Sequence, residues 1–178
     1  MGRTIVFREQ SQLTAAHSDG ASRVAEIGSS MSATLKQGNA VVCVATGTQR
    51  RLIEQQLTIR GIDVVGALMR EQLVCLNALE SLTRIMIDGE LDVIRFAEVI
   101  GASIDRAATR YPRVLIFGEL DLLLHSSGNV CGAKNLSELW TSFVASRPVF
   151  LRCADLEVRF KSPATLQYRS GKSAARLR

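Results

Sequence analysis

The sequence predicts an α/β domain of three layers, a mainly parallel sheet with helices on both faces. Three observations predict it. The stretches "AVVCVAT" (40–46) and "VLIFGEL" (114–120) hold continuous apolar runs, and an unalternated run is how a strand covered on both faces reads. Between such runs lie segments with apolar residues at helical spacing, and strand–helix alternation is the mark of a parallel sheet. Finally, 178 residues with 47% hydrophobic and 22% charged side chains suit a single globular domain, one long enough to bury roughly two-thirds of its unfolded surface.

In order along the chain, Ser22 to Lys36 reads as a helix over Val24, Ile27, Met31 and Leu35, stopped by Gly38-Asn39. "AVVCVAT" is the first strand. Thr48 is the expected cap of a helix through Arg60, with Leu52, Ile53, Leu57 and Ile59 along its apolar side and Gly61 as its stop. "LVCLNA" (73–78) is a second strand. A helix starts near Asp92, where Ile94, Phe96, Ala97, Ile100, Ile104 and Ala107 recur near helical spacing, and Tyr111-Pro112 closes it. "VLIFGEL" is the third strand. The helix in "AKNLSELWTSFVAS" (133–146) has Leu136, Leu139, Trp140 and Phe143 at core spacing, so Trp140 reads as packing. "VFLRCADL" (149–156) is a fourth strand, and "EVRFK" (157–161) alternates as an edge strand would.

Composition excludes several classes. No apolar run approaches the roughly 18 residues of a membrane span, and the N-terminus is no signal peptide, since Arg8 and Glu9 follow a short apolar patch. Val6 stands where a myristoylation site has Ser or Thr. The expectation is a cytoplasmic protein. The net charge of +5 is uneven: residues 1–156 hold 16 basic and 16 acidic side chains, and 157–178 hold six basic ones against Glu157. That basic tail reads as a solvated terminus, or as a surface for an acidic partner. Cys43, Cys75, Cys131 and Cys153 are far apart, without a CxxC pair, and only two His exist. Zinc or another metal is therefore not expected, and the thiols read as reduced and structural.

Glu119, after the third strand, sits where an ATPase keeps a catalytic carboxylate. A P-loop would fall after the first strand, and that turn reads "GTQRR", with one glycine and no lysine. It lacks the residues that wrap a triphosphate. Gly171-Lys172-Ser173 spells the end of the motif, but Leu166 stands where its first glycine belongs. No nucleotide cofactor follows. In a parallel sheet the carboxyl ends of the strands line the ligand crevice. Thr46, Gly47 and Thr48 after the first strand, Asn77 after the second and Glu119 after the third are therefore the candidate ligand-binding residues. Glu119 has two readings, a ligand or signalling group, or a carboxylate satisfied by loop amides or an arginine; as a free charge it would repel a purely anionic ligand unless an arginine such as Arg50 or Arg51 intervened. His17, ahead of the first helix, joins the candidates as a proton sensor, hydrogen-bond partner or local cap. His125 reads as a loop residue with less claim, and Asn129 as turn chemistry.

The ordered run of "LKQGNAVVCVAT", "RRLIEQQLTIRGIDV", "EQLVCLNALESLTRIMIDGELD", "VLIFGELDLLLHSSGN", "LSELWTSFV" and "FLRCADL", with His17 ahead of it, resembles the MEDS family of sensory domains over residues 15–156. The resemblance implies a KaiC/RecA-like core without a P-loop, preceded by an N-terminal segment (1–14) and followed by the basic tail (157–178). It also implies signalling rather than catalysis, with a separate output partner such as a histidine kinase or a transcription regulator. One departure stands out. Relatives follow the early His with an aromatic-containing stretch, whereas His17 is followed by "SDGASRV".

Three function classes remain at this point. The first is a non-catalytic sensory module holding a small organic ligand or a protein partner at the strand-end crevice. The second is a ligand-free interaction scaffold. The third is an atypical ATPase-like protein using Glu119. A homodimer is the ordinary expectation for such a core. Membrane association is not expected, nor is nucleic-acid binding, since the tail has neither aromatic platforms nor a reading module.

Overall fold

The first strand, β1 (Ala40–Ala45), is buried along its whole length, so both its edges and both its faces must be covered by the rest of the chain. The computed structural model describes residues 16–145 and 149–153, with side chains from Ser22 to Ala145 and at Val149. Within them β1 pairs in parallel with β2 (Leu73–Asn77) on one edge and with β5 (Val114–Gly118) on the other. β6 (Val149–Cys153) extends the sheet beyond β5, giving four parallel strands in the order β2-β1-β5-β6. All four predicted strands are present. Residues 157–161, read as an edge strand, lie outside the described residues.

Successive β1 residues point to opposite faces, and each face has its own core. Val41, Cys43 and Ala45, with Leu73, Leu115 and Phe117, pack under α1 (Ala16–Lys36), α2 (Gly47–Ile59) and α3 (Val64–Met69) through Met31, Leu35, Ile53, Leu57 and Ala67. On the other face Ala40, Val42 and Val44, with Val114 and Ile116, meet the remaining helices. These are α4 (Ala78–Ile85), α5 (Val93–Phe96), α6 (Ala102–Arg110), α7 (Leu120–Ser126) and α8 (Val130–Ala145). The fold is thus a three-layer α/β domain, as the sequence predicts.

Several boundaries differ from expectation. α1 begins at Ala16, so His17 lies in its first turn instead of ahead of it. Gly20 costs such a helix only about 1 kcal/mol. Gly28 lets α1 approach α2, because a Cβ there would come within 2.6 Å of Gln56 Cβ. On α2 the buried stripe is only Ile53 and Leu57, spaced i, i+4. Leu52 and Ile59 are rotated off it and are 40% and 75% exposed. Ile94 also faces outward, at 72% exposure, two positions past the Asp92 cap in the first turn of α5.

Between β2 and β5 the chain crosses over β1. The sequence reading passed over a small hairpin here, β3 (Met86–Ile87) with β4 (Glu90–Leu91), turned by Asp88 (φ 50°) and Gly89 (φ 85°). Both central residues take positive φ, the requirement of the Asp-Gly type I′ turn. Asp92 caps α5 by accepting from the Arg95 N–H at 2.9 Å. A π-helical turn, Ala97–Gly101, then joins α5 to α6.

Trp140 is 1% exposed, and its ring meets Phe96 edge-on at 4.8 Å and Phe143 at 6.2 Å. These rings lock α8 onto the crossover helix. Trp140→Ala should therefore cost about 3–5 kcal/mol of stability, read by denaturant titration. A loss below about 1 kcal/mol would mean that the aromatic cluster is not the seam.

Candidate functional site

β1 is followed by α2 on one face of the sheet, and β5 by α7 on the other, although the two strands are neighbours. Connections leaving adjacent strands in opposite directions open a crevice at their carboxyl ends, the topological switch point of an open α/β sheet. Thr46, Gly47 and Thr48 stand on the β1 side of that crevice and Glu119 on the β5 side. Asn77 lies one strand further on, since β2 pairs Asn77 with Ala45.

Glu119 closes the crevice. Its backbone N–H donates to the Val44 carbonyl at 3.1 Å, continuing the β1–β5 ladder. Its side chain turns back across the gap, and Oε2 accepts the Thr46 backbone N–H at 2.7 Å. The carboxylate therefore takes an amide at the α2 N-terminus, and the N-terminus of a helix is a ready place for a negative charge. α2 has no acidic residue in its own first turn, so Glu119 supplies from another strand the negative charge that complements the helix dipole. Burial pushes the Glu119 carboxyl above the ordinary glutamate range, and the Thr46 backbone N–H and hydroxyl pull it back.

The sequence reading made Thr48 the cap of α2, but the cap is Thr46. Its backbone is extended (φ −64°, ψ 157°), and its Oγ1 accepts the Gln49 N–H at 3.3 Å. Thr48 is then a solvent-exposed residue of the first turn. Gly47 is exposed too, and a Cβ there would meet no atom within 4 Å, so space does not demand a glycine. Asn77 caps α4, its Oδ1 accepting from the Leu79 and Glu80 N–H groups at 3.0 and 3.3 Å. Arg50, one of the arginines that could offset Glu119 for an anionic ligand, donates from Nε to Glu54 at 2.7 Å.

The structure thus brings Thr46, Gly47, Thr48 and Glu119 together and sets Asn77 beside them. His17 is placed on α1, with its side chain outside the described residues. His125 lies in the last turn of α7. Asn129 is a double tie: its Oδ1 accepts the Gly132 N–H at 2.8 Å at the start of α8, and its Nδ2 donates to the Gly89 carbonyl of the hairpin at 3.1 Å. The sequence reading took Cys43 and Cys75 as separate structural thiols, whereas the structure makes them direct partners in the β1–β2 ladder. The available signal was positional, since each cysteine lies two residues before the end of its strand.

Two outcomes test this geometry. Thr46→Ala removes the cap oxygen and keeps the backbone amide, and it should lower stability by about 1 kcal/mol in denaturant titration. Glu119 titrates higher in the fold than in the unfolded chain, so its protonation favours the fold. That stabilisation is fully present below the unfolded value of about 4.3 and is lost as pH rises through the folded value. The stability of the wild type relative to Glu119→Gln should accordingly improve as pH falls through that window. A difference that does not change with pH would place the carboxyl at its ordinary value.

Among the described residues, no helix is long and apolar enough to cross a membrane, and no group of three or more His, Cys, Asp or Glu is placed to hold a metal ion. No curated protein and no solved structure matches the chain. One family model does, over residues 15–156: MEDS, the methanogen/methylotroph, DcmR sensory domain. The match takes in every strand of the sheet and both sides of the crevice that Glu119 closes, and by it the chain belongs to the MEDS family of sensory domains.

Proposed function

We propose that this chain is a non-catalytic sensory module whose input site is the β1–β5 crevice, with the Glu119–Thr46 hydrogen bond as its closed state. The observation that carries the reading is a buried carboxylate occupying the helix N-terminal amide that an ATPase would offer to phosphate. An anionic ligand arriving there meets a negative charge already in place. A neutral or mixed-charge organic ligand, or a cationic or amide side chain of a partner, can instead hydrogen-bond Glu119 and release the Thr46 amide. The turn "GTQRR" supports the non-catalytic part, since it has neither the glycines nor the lysine that hold a triphosphate. A separate partner of the kinase or transcription-regulator kind would take the output.

The same hydrogen bond favours a second reading, in which Glu119 only closes the edge and the body is an interaction scaffold without a ligand. The two differ in what Glu119→Gln does. This substitution keeps the shape and removes the charge.

Thermal-shift screening against polar, neutral and zwitterionic metabolites, with ATP·Mg alongside, tests the proposal. A ligand at about 100-fold its Kd adds roughly 2.7 kcal/mol of stability. That gain should appear for a neutral or mixed-charge compound, shrink in Glu119→Gln and be absent with ATP·Mg. Micromolar ATP binding abolished by changing Thr48 or Glu119 would restore the ATPase reading. A Glu119→Gln protein altered only in melting temperature would favour the scaffold.

A further inference from the structure

Cys43 and Cys75 face each other across the β1–β2 ladder as register partners. Parallel strands lie about 4.8 Å apart, and residues opposite one another share a face, so the two thiols project side by side toward α2. Their surroundings differ. Cys43 is 1% exposed, among Ile53, Leu57 and Phe117, while Cys75 is partly open to solvent. Each thiol acts on the other's titration: Cys43 draws Cys75 down, and Cys75 pushes Cys43 up. The Arg50 guanidinium, held by Glu54, acts on both.

We propose that Cys43 and Cys75 form an oxidant-sensitive thiol pair, in which Cys75 reacts with a peroxide and Cys43 resolves the product into a disulfide that links β1 to β2. The division of roles follows from access and charge. The Cys43 hydrogen bond and then Arg50 lower the Cys75 thiol below its ordinary value, against its own burial and Glu54. The Cys75 hydrogen bond, burial and the nearby Glu119 carboxylate raise Cys43, with Arg50 opposing them. One thiol is thus the nucleophile and the other stays protonated, the arrangement of a reactive cysteine beside a resolving one.

The chemistry balances. The Cys75 thiolate attacks the distal oxygen of a hydroperoxide and breaks the O–O bond. This gives Cys75 sulfenic acid and an alkoxide, which takes up the proton Cys75 lost and leaves as alcohol, or as water from hydrogen peroxide. The Cys43 sulfur then attacks the Cys75 sulfur, and the sulfenic hydroxyl departs with the Cys43 proton as water. Two thiols are oxidised by two electrons, and the peroxide is reduced by the same two. The Cα spacing of paired strands lies within the range a disulfide spans. Cys43 lies three residues before Thr46, which directly follows β1, so a pull on β1 reaches the crevice. The pair does not rest on the crevice binding a ligand, and the test below reads thiols alone.

The test is to expose the full-length chain to hydrogen peroxide and map peptides by mass spectrometry. The expected product is a Cys43–Cys75 link with a loss of about 2 Da, reversed by a dithiol reductant. Cys75 should be consumed faster than the solvent-exposed Cys131, which serves as the internal reference. In Cys43→Ser the resolving step is gone, so Cys75 should accumulate as a sulfenic acid that a cyclic 1,3-dione traps. If the substitution prevents folding, the wild-type peptide map decides alone. Oxidation of Cys131 ahead of Cys75, or a wild-type map without the Cys43–Cys75 link, would overturn the proposal.

Discussion

Everything in this domain answers to one constraint, the complete burial of β1. A strand without solvent must find a partner for each backbone N–H and C=O, because a buried peptide group left unpaired costs as much as a lost hydrogen bond. β2 and β5 meet that demand in register on its two edges. The two faces then need separate helical layers, because alternate β1 side chains point opposite ways. Both strand neighbours are parallel to β1, so each must be reached by a crossover, and the two crossovers cover opposite faces. The crevice at the carboxyl end is thus a by-product of burying β1.

What the sequence made legible follows from that burial. The apolar runs around Val42 and Ile116 carry no polar positions because neither face is wet, and such runs are read directly. Asp92 and Gly61 were also readable, since a cap and a helix stop are local events. The cap of α2 was misplaced by two residues because Thr46 and Thr48 are chemically alike, and only backbone geometry separates them. Asp88-Gly89 carried a hairpin signal that the flanking apolar residues should have strengthened. The partner of Glu119 was out of reach, since Thr46 is 73 positions away and joins it only through strand order. Cys43 and Cys75 were hidden for the same reason: register across a ladder is a tertiary fact.

Glu119 and Arg50 set the charge at the carboxyl edge of the sheet. A carboxylate from the neighbouring strand faces the positive end of α2. Arg50, which in the first turn of α2 opposes the dipole, is held by its ion pair with Glu54. Charge is balanced within the edge, and the balance is local enough for one incoming group to disturb it. A sensory domain needs an element of that kind, with two arrangements close in energy and a contact that biases them.

The π turn at Ala97–Gly101 bears on how this chain tolerates changes of length. A π turn accommodates one residue more than an α-helix would over the same span. Phe96 and Ile100 before and within it, and Ile104 and Ala107 after it, all reach the same core. Loss of one residue inside the turn can tighten it to ordinary α-helical winding while both halves keep their anchors. The same deletion in α8, an uninterrupted helix, would rotate everything beyond it by about 100° and carry Trp140 or Val144 off the core. The crossover from β2 to β5 is thus a segment where the length of the chain can drift without disturbing the sheet.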